Sequence, residues 1–334
     1  MPVVSIGDMA QQFTSLRNSG AIKTDLARLS ESLSTGKVTD ITTHLGGETA
    51  RFSGIKYSLT QLAAYGQAAS ETQQTLANVQ IILGQVENIR GATAERLLLV
   101  SDSSTIAQID EAAIASKDAF EIIVRALNTK VGDRALLAGA DVTGRPLAAA
   151  SDMLNDLRAA IGVTVDPTAI LATIATWFDD PLGGFATAGY LGDVGTTPEK
   201  RVSETKTVAV DARADDPAII SVLKATAISA LAHDLPGLDR QTKSTLLQGA
   251  GQKLFAASSD LIAVQSRIGF AESRVAQAQA ESSAQQTALG IMQNNLVSAD
   301  PFETASQLQA VQLQLETHFT VTARMSQLSL LRYI

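Results

Sequence analysis

A seven-residue repeat of apolar positions runs through the second half of the chain. One series of the repeat is Leu247, Leu254, Leu261, Ile268, Val275, Ser282, Leu289 and Leu296. The interleaved series is Ala250, Ala257, Val264, Ala271, Ala278, Gln285 and Met292. Sustained spacing of three and four residues is typical of a helix packed along its length against another helix. The repeat predicts a helix of about fifty residues, or about 75 Å, and therefore an elongated protein.

Two shorter repeats predict a helical hairpin in the first half of the chain. The first repeat follows Leu62, Ala69, Leu76, Leu83, Arg90 and Leu97, with a second series from Tyr65 to Val100. The other repeat follows Ile106, Ala113, Phe120 and Leu127. Ser101, Asp102, Ser103 and Ser104 separate the two repeats, and their side chains suit a helix N-cap. The long C-terminal helix is expected to lie against this hairpin, because each helix alone leaves one apolar stripe exposed.

Both termini predict amphipathic helices with few apolar partners nearby. The first helix ends near Gly36, and the segment 298–301 breaks the last helix from the long one. The two helices either pair within one molecule or complete their packing only against neighbouring copies. We adopt the second interpretation. The predicted assembly interface consists of Ile6, Phe13, Leu26, Leu33, Leu308, Leu315, Phe319, Leu328 and Leu331.

The segment 141–216 differs from both ends, because it holds four of the eight Pro residues, the single Trp and β-like pieces at 161–165 and 207–210. We predict a mainly α fold: an elongated helical bundle or coiled coil built from the N- and C-terminal regions, with a small β-containing inserted domain. In this division, 1–40 and 300–334 are the assembly core, 41–140 and 217–299 form the long bundle, and 141–216 faces outward.

Composition narrows the classes of function. The net charge of −8 and the pI near 5.0 argue against nucleic-acid binding, which needs a basic surface. The absence of Cys excludes disulfides and thiolate metal sites. The sequence has no run of 18 apolar residues, so no transmembrane helix is predicted. The first residues do not resemble a secretory signal. We therefore expect any export to use another route.

The search for catalytic chemistry finds no candidate. His44, His233 and His318 are isolated in the sequence, and the glycine spacing of 139–146 lacks the residues of a phosphate-binding loop. We interpret that segment as a turn. Arg90 stands on a helical seam and could form a buried ion pair, but we expect its stem to pack and its charge to reach water. No catalytic, cofactor-binding or metal-binding residue is predicted, and the protein is not expected to be an enzyme.

Three segments carry a family resemblance. Leu29-Ser-Glu-Ser-Leu-Ser-Thr-Gly-Lys37 resembles the flagellin segment after the first helix, Asp300-Pro-Phe-Glu-Thr-Ala305 resembles the opening of its last helix, and Leu328–Ile334 resembles its C-terminus. In order and position they are similar to the flagellin superfamily, over roughly 1–140 and 217–334. The resemblance implies a structural protein of the bacterial flagellum.

Within this superfamily, the chain looks more like the hook-associated proteins of the hook–filament junction than like filament flagellin. The segment 38–47 departs from the flagellin pattern, whereas 136–141 with Pro146-Leu147 resembles the junction type, although Leu replaces the usual aromatic residues. Filament flagellin stays an alternative. A coiled-coil secretion protein unrelated to flagella, or an enzyme with an unrecognised site in 141–216, are more distant ones.

The resemblance also implies partners and location. The protein would pass unfolded through the flagellar type III export apparatus, without a cleavable signal peptide, and assemble outside the cell as a ring. Its implied partners are copies of itself, an adjacent hook-associated protein, filament subunits and an export chaperone. Neither nucleic acid nor membrane insertion is implied.

Overall fold

The computed structural model describes residues 6–195 and 197–331, without the side chains of residues 6–8, 11 and 326–331. The longer helices are α1 (Ile6–Thr35), α3 (Thr49–Leu98), α4 (Ile106–Leu127), α7 (Pro217–Asp234), α8 (Arg240–Val297) and α9 (Pro301–Leu331). The shorter ones are α2 (Ile41–Leu45), α5 (Ala150–Ile161) and α6 (Pro167–Asp179), with a 3-10 turn at Gly46–Glu48 and a π-helical turn at Phe185–Gly189. Two hairpins pair antiparallel strands: β1 (Lys130–Val131) with β2 (Arg134–Ala135), and β3 (Glu199–Arg201) with β4 (Thr207–Ala209). The predicted mainly α fold with small β elements is confirmed.

The chain divides into two compact units, and both α3 and α8 contribute residues to each. The first unit comprises residues 1–63 and 284–334, and the second comprises residues 64–283. These boundaries differ from the three-part division expected from the sequence. That functional division stays a prediction.

The heptad seams of α3 and α8 form the core of the second unit. Every position of the α8 series from Leu247 to Ser282 is buried, as are Leu76, Leu83 and Leu97 on α3. Side chains of one helix reach the backbone of the other: the Gln80 amide donates to the Gln265 carbonyl at 2.7 Å. The packing partner of α4 is α7, an apolar helix whose seam has no heptad repeat.

The segment 141–216 is more helical than the sequence indicates. The predicted strand at 207–210 is confirmed by β4, but the predicted β-like piece at 161–165 is wrong, because α5 ends at Ile161 and Gly162 turns the chain with φ +64°. An aromatic cluster of Trp177, Phe178, Phe185 and Tyr190 is buried with the same apolar core as α3, α4 and α8. Burial raises the pKa of the Tyr190 phenol to about 12.

The structure contradicts the expectation that the charge of Arg90 reaches water. Its side chain is 8% exposed rather than hydrated. It donates from Nε and Nη2 to the two carboxylate oxygens of Glu87 at 2.7 and 2.6 Å, and from Nη1 to the Leu254 carbonyl at 2.7 Å. The hydrogen bond and charge of Arg90 hold the pKa of Glu87 below its usual range despite partial burial. The buried ion pair, the alternative that the sequence analysis did not favour, is the observed arrangement.

Two local features sharpen the remaining helix boundaries. The N-cap of α4 is Thr105, in a capping box with Gln108, and not a residue of the 101–104 segment. At the C-terminal end of α7, Asp234 accepts hydrogen bonds from Lys117 at 2.8 Å and from Arg158. Burial opposes ionisation of Asp234, but these two cations together hold its pKa below the usual value.

Candidate functional site

The first unit is built on an antiparallel pairing of α1 and α9, here called the terminal helix pair. On α9 the inward positions Thr304, Leu308, Val311, Leu315, His318 and Thr322 alternate four and three residues apart, as in a coiled coil. On α1 the corresponding positions are Ser15, Ser19, Ile22, Leu26, Leu29 and Ser32. Among the described residues of these two helices, the buried ones are Ile22, Leu29, Ser32 and Thr304. The pair therefore has a narrow intramolecular core.

Backbone contacts fix the register of this pair where it joins the rest of the unit. The Val38 amide donates to the Val297 carbonyl and the Ala299 amide donates to the Gly36 carbonyl, each at 2.9 Å. Asp300 caps α9, because its carboxylate accepts from the Phe302 and Glu303 amides at 2.8 and 3.1 Å. The helix break predicted at 298–301 thus lies where the sequence placed it.

The seam changes from apolar to polar toward the ends of the chain. Ser15 Oγ lies 3.4 Å from His318 Nε2 and 3.5 Å from Thr322 Oγ1. The other ring nitrogen of His318 is buried and has no hydrogen-bond partner among the described residues. A polar seam supplies little apolar burial, so this half of the pair gains less stability from pairing than the half at Ile22 and Leu29.

The large apolar side chains near the ends of the chain lie outside the seam. With about 100° of rotation per residue, Met9, Phe13 and Leu16 point about 100° to 160° away from the inward position Ser15. Phe13 is 74% exposed and Phe319 is 50% exposed. Lys23 Nζ lies 5.8 Å from the centre of the Phe319 ring, so Phe319 lies on the same side of the pair. Met9, Phe13, Leu16, Lys23 and Phe319 are called the aromatic face.

A groove runs along the other side of the terminal helix pair, with a volume of about 780 Å³. Ala21, Ala310 and Ile22 line it with small or buried side chains, and the half-exposed Leu313 and Val321 rim it. Its polar lining residues are Asn18, Asp25, Gln314, Thr317 and His318. The pair thus has one protruding apolar side and one concave side.

The nine predicted interface residues separate into three groups. Leu26, Leu308 and Leu315 are half-buried in the seam, whereas Phe13, Leu33 and Phe319 are exposed. The side chains of Ile6, Leu328 and Leu331 lie outside the described residues. The set omitted Met9, Leu16, Leu313 and Val321, whose exposure depends on which side of each helix faces its partner. The assembly role of all nine stays a prediction.

Charge is distributed unequally between the units. Of 26 basic and 34 acidic residues in the chain, eight of each belong to residues 1–63 and 284–334. The second unit therefore holds 18 basic and 26 acidic residues, and with them the whole net charge of −8. A neutral region approaches a like copy without the net repulsion that a charged one meets.

The described residues offer no arrangement for chemistry at a metal. Within them, no three or more His, Asp or Glu side chains converge as a metal site would require. None of the described helices combines the length and apolarity needed to cross a membrane. The segment 139–146 forms a turn around Asp141, whose carboxylate accepts from the Thr143 and Gly144 amides at 2.9 and 3.2 Å. These hydrogen bonds lower the pKa of Asp141.

Residues 252–334, which include the end of α8 and all of α9, match the family profile of the bacterial flagellin C-terminal helical region. The resemblance to the flagellin superfamily is confirmed. The match supports a structural role for this flagellin-like chain in the bacterial flagellum.

A solved structure described as a flagellar hook-associated protein from Vibrio parahaemolyticus has a similar fold. Its TM-score is 0.53 at 11% sequence identity, over 75% of this chain and 97% of that chain. At this identity the likeness concerns the fold alone. The curated protein sequences contain no match.

Proposed function

We propose that this protein is a structural component of the bacterial flagellum that joins the hook to the filament, assembling as a ring through its terminal helices. The observation that carries the proposal is the aromatic face. Large apolar side chains that point away from their own seam gain burial only against another molecule. That face lies on the pair formed by α1 and the flagellin-like α9.

The junction is favoured over the filament by the sequence and by the solved neighbour. The segment 38–47 departs from the filament flagellin pattern, and 136–141 with Pro146-Leu147 resembles the junction type. The neighbour with the similar fold is described as hook-associated. A junction protein meets a different protein on each side, so its contacts with them are heterologous and not self-complementary.

The proposed partners follow from this position. They are further copies of this chain, an adjacent hook-associated protein and filament subunits, with an export chaperone holding the terminal helices before assembly. The proposed location is outside the cell, after passage through the flagellar export apparatus. The proposed role is mechanical, without catalysis.

The test is electron microscopy of a strain that lacks this gene, with a blot for flagellin in the culture medium. Bare hooks with abundant flagellin in the medium are expected, because filament subunits would be exported without a base on which to grow. Bare hooks without secreted flagellin would instead identify this chain as the filament protein. Normal flagella would overturn a flagellar role.

A further inference from the structure

We propose that successive copies join heterologously, with the aromatic face of one copy seated in the groove of the next. This inference rests on the proposed ring assembly and names the two surfaces that meet. It commits to a second copy of this chain as the occupant of the groove.

The first argument is the placement of the two surfaces. Measured from Ser15 on α1, the aromatic positions lie at about 100° to 160°, while Asn18, Ala21 and Asp25 lie at about 240° to 300°. The two surfaces therefore flank the seam on opposite sides of the terminal helix pair. A copy that binds a neighbour on one side keeps the other side free for the next neighbour.

The second argument is shape. Phe13 and Leu16 protrude, being 74% and 66% exposed, with Phe319 beside them on α9. The groove offers the converse shape, because its small residues Ala21 and Ala310 leave about 780 Å³ between the helices. A depression of this size can receive an aromatic side chain.

The third argument is the apolar lining. Leu313 and Val321 rim the groove and are 65% and 50% exposed. An aromatic side chain entering the groove would bury these two residues together with its own ring. Two exposed apolar surfaces are thereby removed from water by one contact.

The fourth argument is charge complementarity. Lys23 lies on the aromatic face beside Phe319, and Asp25 lines the groove. Both side chains project from the same stretch of α1 but toward opposite sides. When the aromatic face of one copy meets the groove of the next, Lys23 approaches the Asp25 carboxylate, which Arg28 of the same helix contacts at 3.3 Å. Contact between two aromatic faces would not bring Lys23 to Asp25, because Asp25 lies on the opposite side of α1.

A contact between two unlike surfaces sets the form of the assembly. Heterologous contacts continue from copy to copy and give a closed ring or an open helix, whereas a contact between identical surfaces stops at a dimer. A ring at the junction therefore needs the arrangement that the two sides of this pair offer.

Cross-linking tests the arrangement. Because the sequence contains no Cys, only the introduced cysteines of this chain can react. The deletion strain is complemented with full-length chains that carry Leu16→Cys, Ala310→Cys or both. Flagella are isolated, treated with a bifunctional maleimide and analysed by denaturing gel and immunoblot. Within one chain the two positions lie about nine residues apart along the pair, or about 13 Å, on opposite sides, and such a bridge would add no mass.

The double variant is expected to give a ladder of cross-linked copies, and each single variant is expected to stay monomeric. Dimers of the Leu16→Cys single variant would show contact between identical faces and overturn the inference. A monomeric double variant in swimming cells would also overturn it, while the proposed function would stand if the deletion strain has bare hooks. If the double variant does not swim, Met9→Cys with Thr317→Cys replaces it, and the same outcomes apply.

A groove-filling variant gives an independent readout. Ala21→Trp places a large side chain in the groove and leaves the aromatic face intact. Heterologous assembly predicts loss of swimming for Ala21→Trp as well as for Phe13→Asp. Normal swimming of the Ala21→Trp strain, together with loss in the Phe13→Asp strain, would favour contact between identical faces and refute the inference.

Discussion

Replacing Arg90 by Ala should destabilise the second unit more than a typical surface mutation. The substitution removes three charge-assisted hydrogen bonds, two to Glu87 and one to the Leu254 carbonyl. Breaking a buried ion pair from one side costs about 3–5 kcal/mol, because the other charge stays buried without its partner. Glu87 keeps 24% of its side chain exposed and can regain some water. We therefore expect a loss of about 3 kcal/mol, at the lower end of that range.

The assay is urea unfolding of the full chain followed by Trp fluorescence. Trp177 is the single Trp and is buried in the second unit, so its signal reports on the unfolding of that unit. The matched control is Arg90→Met with Glu87→Leu, which removes both charges. Its stability should lie within about 1 kcal/mol of the wild type or above it.

The reasoning would be refuted by a loss below about 1 kcal/mol for Arg90→Ala, which is the size expected of a solvated surface pair. It would also be refuted if the double variant were as unstable as the single one. That result would mean that the lost hydrogen bond to the Leu254 carbonyl, and not the stranded charge of Glu87, decides the effect.

Three further predictions concern the turns, the acid limit and assembly. In thermal unfolding, Gly139→Ala should destabilise the protein more than Gly162→Ala. Both glycines have a positive φ, which costs an L-residue about 1–2 kcal/mol. Only at position 139 would the new Cβ also collide with a neighbouring carbonyl. Equal losses would contradict this. The lowered pKa of Asp234 contributes stability above its unfolded value of about 3.9 that disappears as pH falls through its folded pKa. Asp234→Asn should therefore lose less melting temperature between pH 5 and pH 2 than the wild type, and an unchanged pH profile would assign acid unfolding to other groups. Phe13→Asp should abolish filament growth without changing the far-UV spectrum of the monomer, because Phe13 is exposed, whereas Val163→Asp, also exposed, should swim normally; filaments on the Phe13→Asp strain would remove the aromatic face from the account.

Periodicity was sufficient to predict the long helices. The seams through Leu76 and Leu254 repeat over many turns, and such a pattern has few structural alternatives. The residues that cap the helices were harder to predict from the sequence. Thr105 has four Ser and Asp residues directly before it that also suit an N-cap, and the capping box with Gln108 inside the helix distinguishes it from them.

The interior of 141–216 could not be derived from the sequence in the same way. Helices α5 and α6 are too short to show a sustained repeat, and their Pro and Gly neighbours resemble a loop-rich domain. The burial of Arg90 could not be derived from the sequence, because its acceptors Glu87 and the Leu254 carbonyl meet only when α8 lies against α3.

The helices of the candidate site could be predicted from the sequence, but the side of each helix that faces its partner could not. The sequence shows that α1 and α9 are amphipathic, but it does not show which residues face the partner helix. Leu315 and Phe13 therefore appeared equivalent, although one is half-buried in the seam and the other is exposed. The groove depends on the antiparallel register of the pair, which the contacts of Gly36 and Ser15 establish.

The most direct test of the account is thiol protection of the aromatic face. Phe13→Cys and, as a control, Val163→Cys are introduced singly into the Cys-free chain, and labelling rates are compared between the purified monomer and isolated flagella. Val163 is 89% exposed and lies in the second unit, outside the terminal helix pair. We expect both cysteines to react rapidly in the monomer. In flagella, Cys at 163 should stay reactive and Cys at 13 should become protected. Equal reactivity of Cys at 13 in the monomer and in functional flagella would contradict the claim that this face carries assembly.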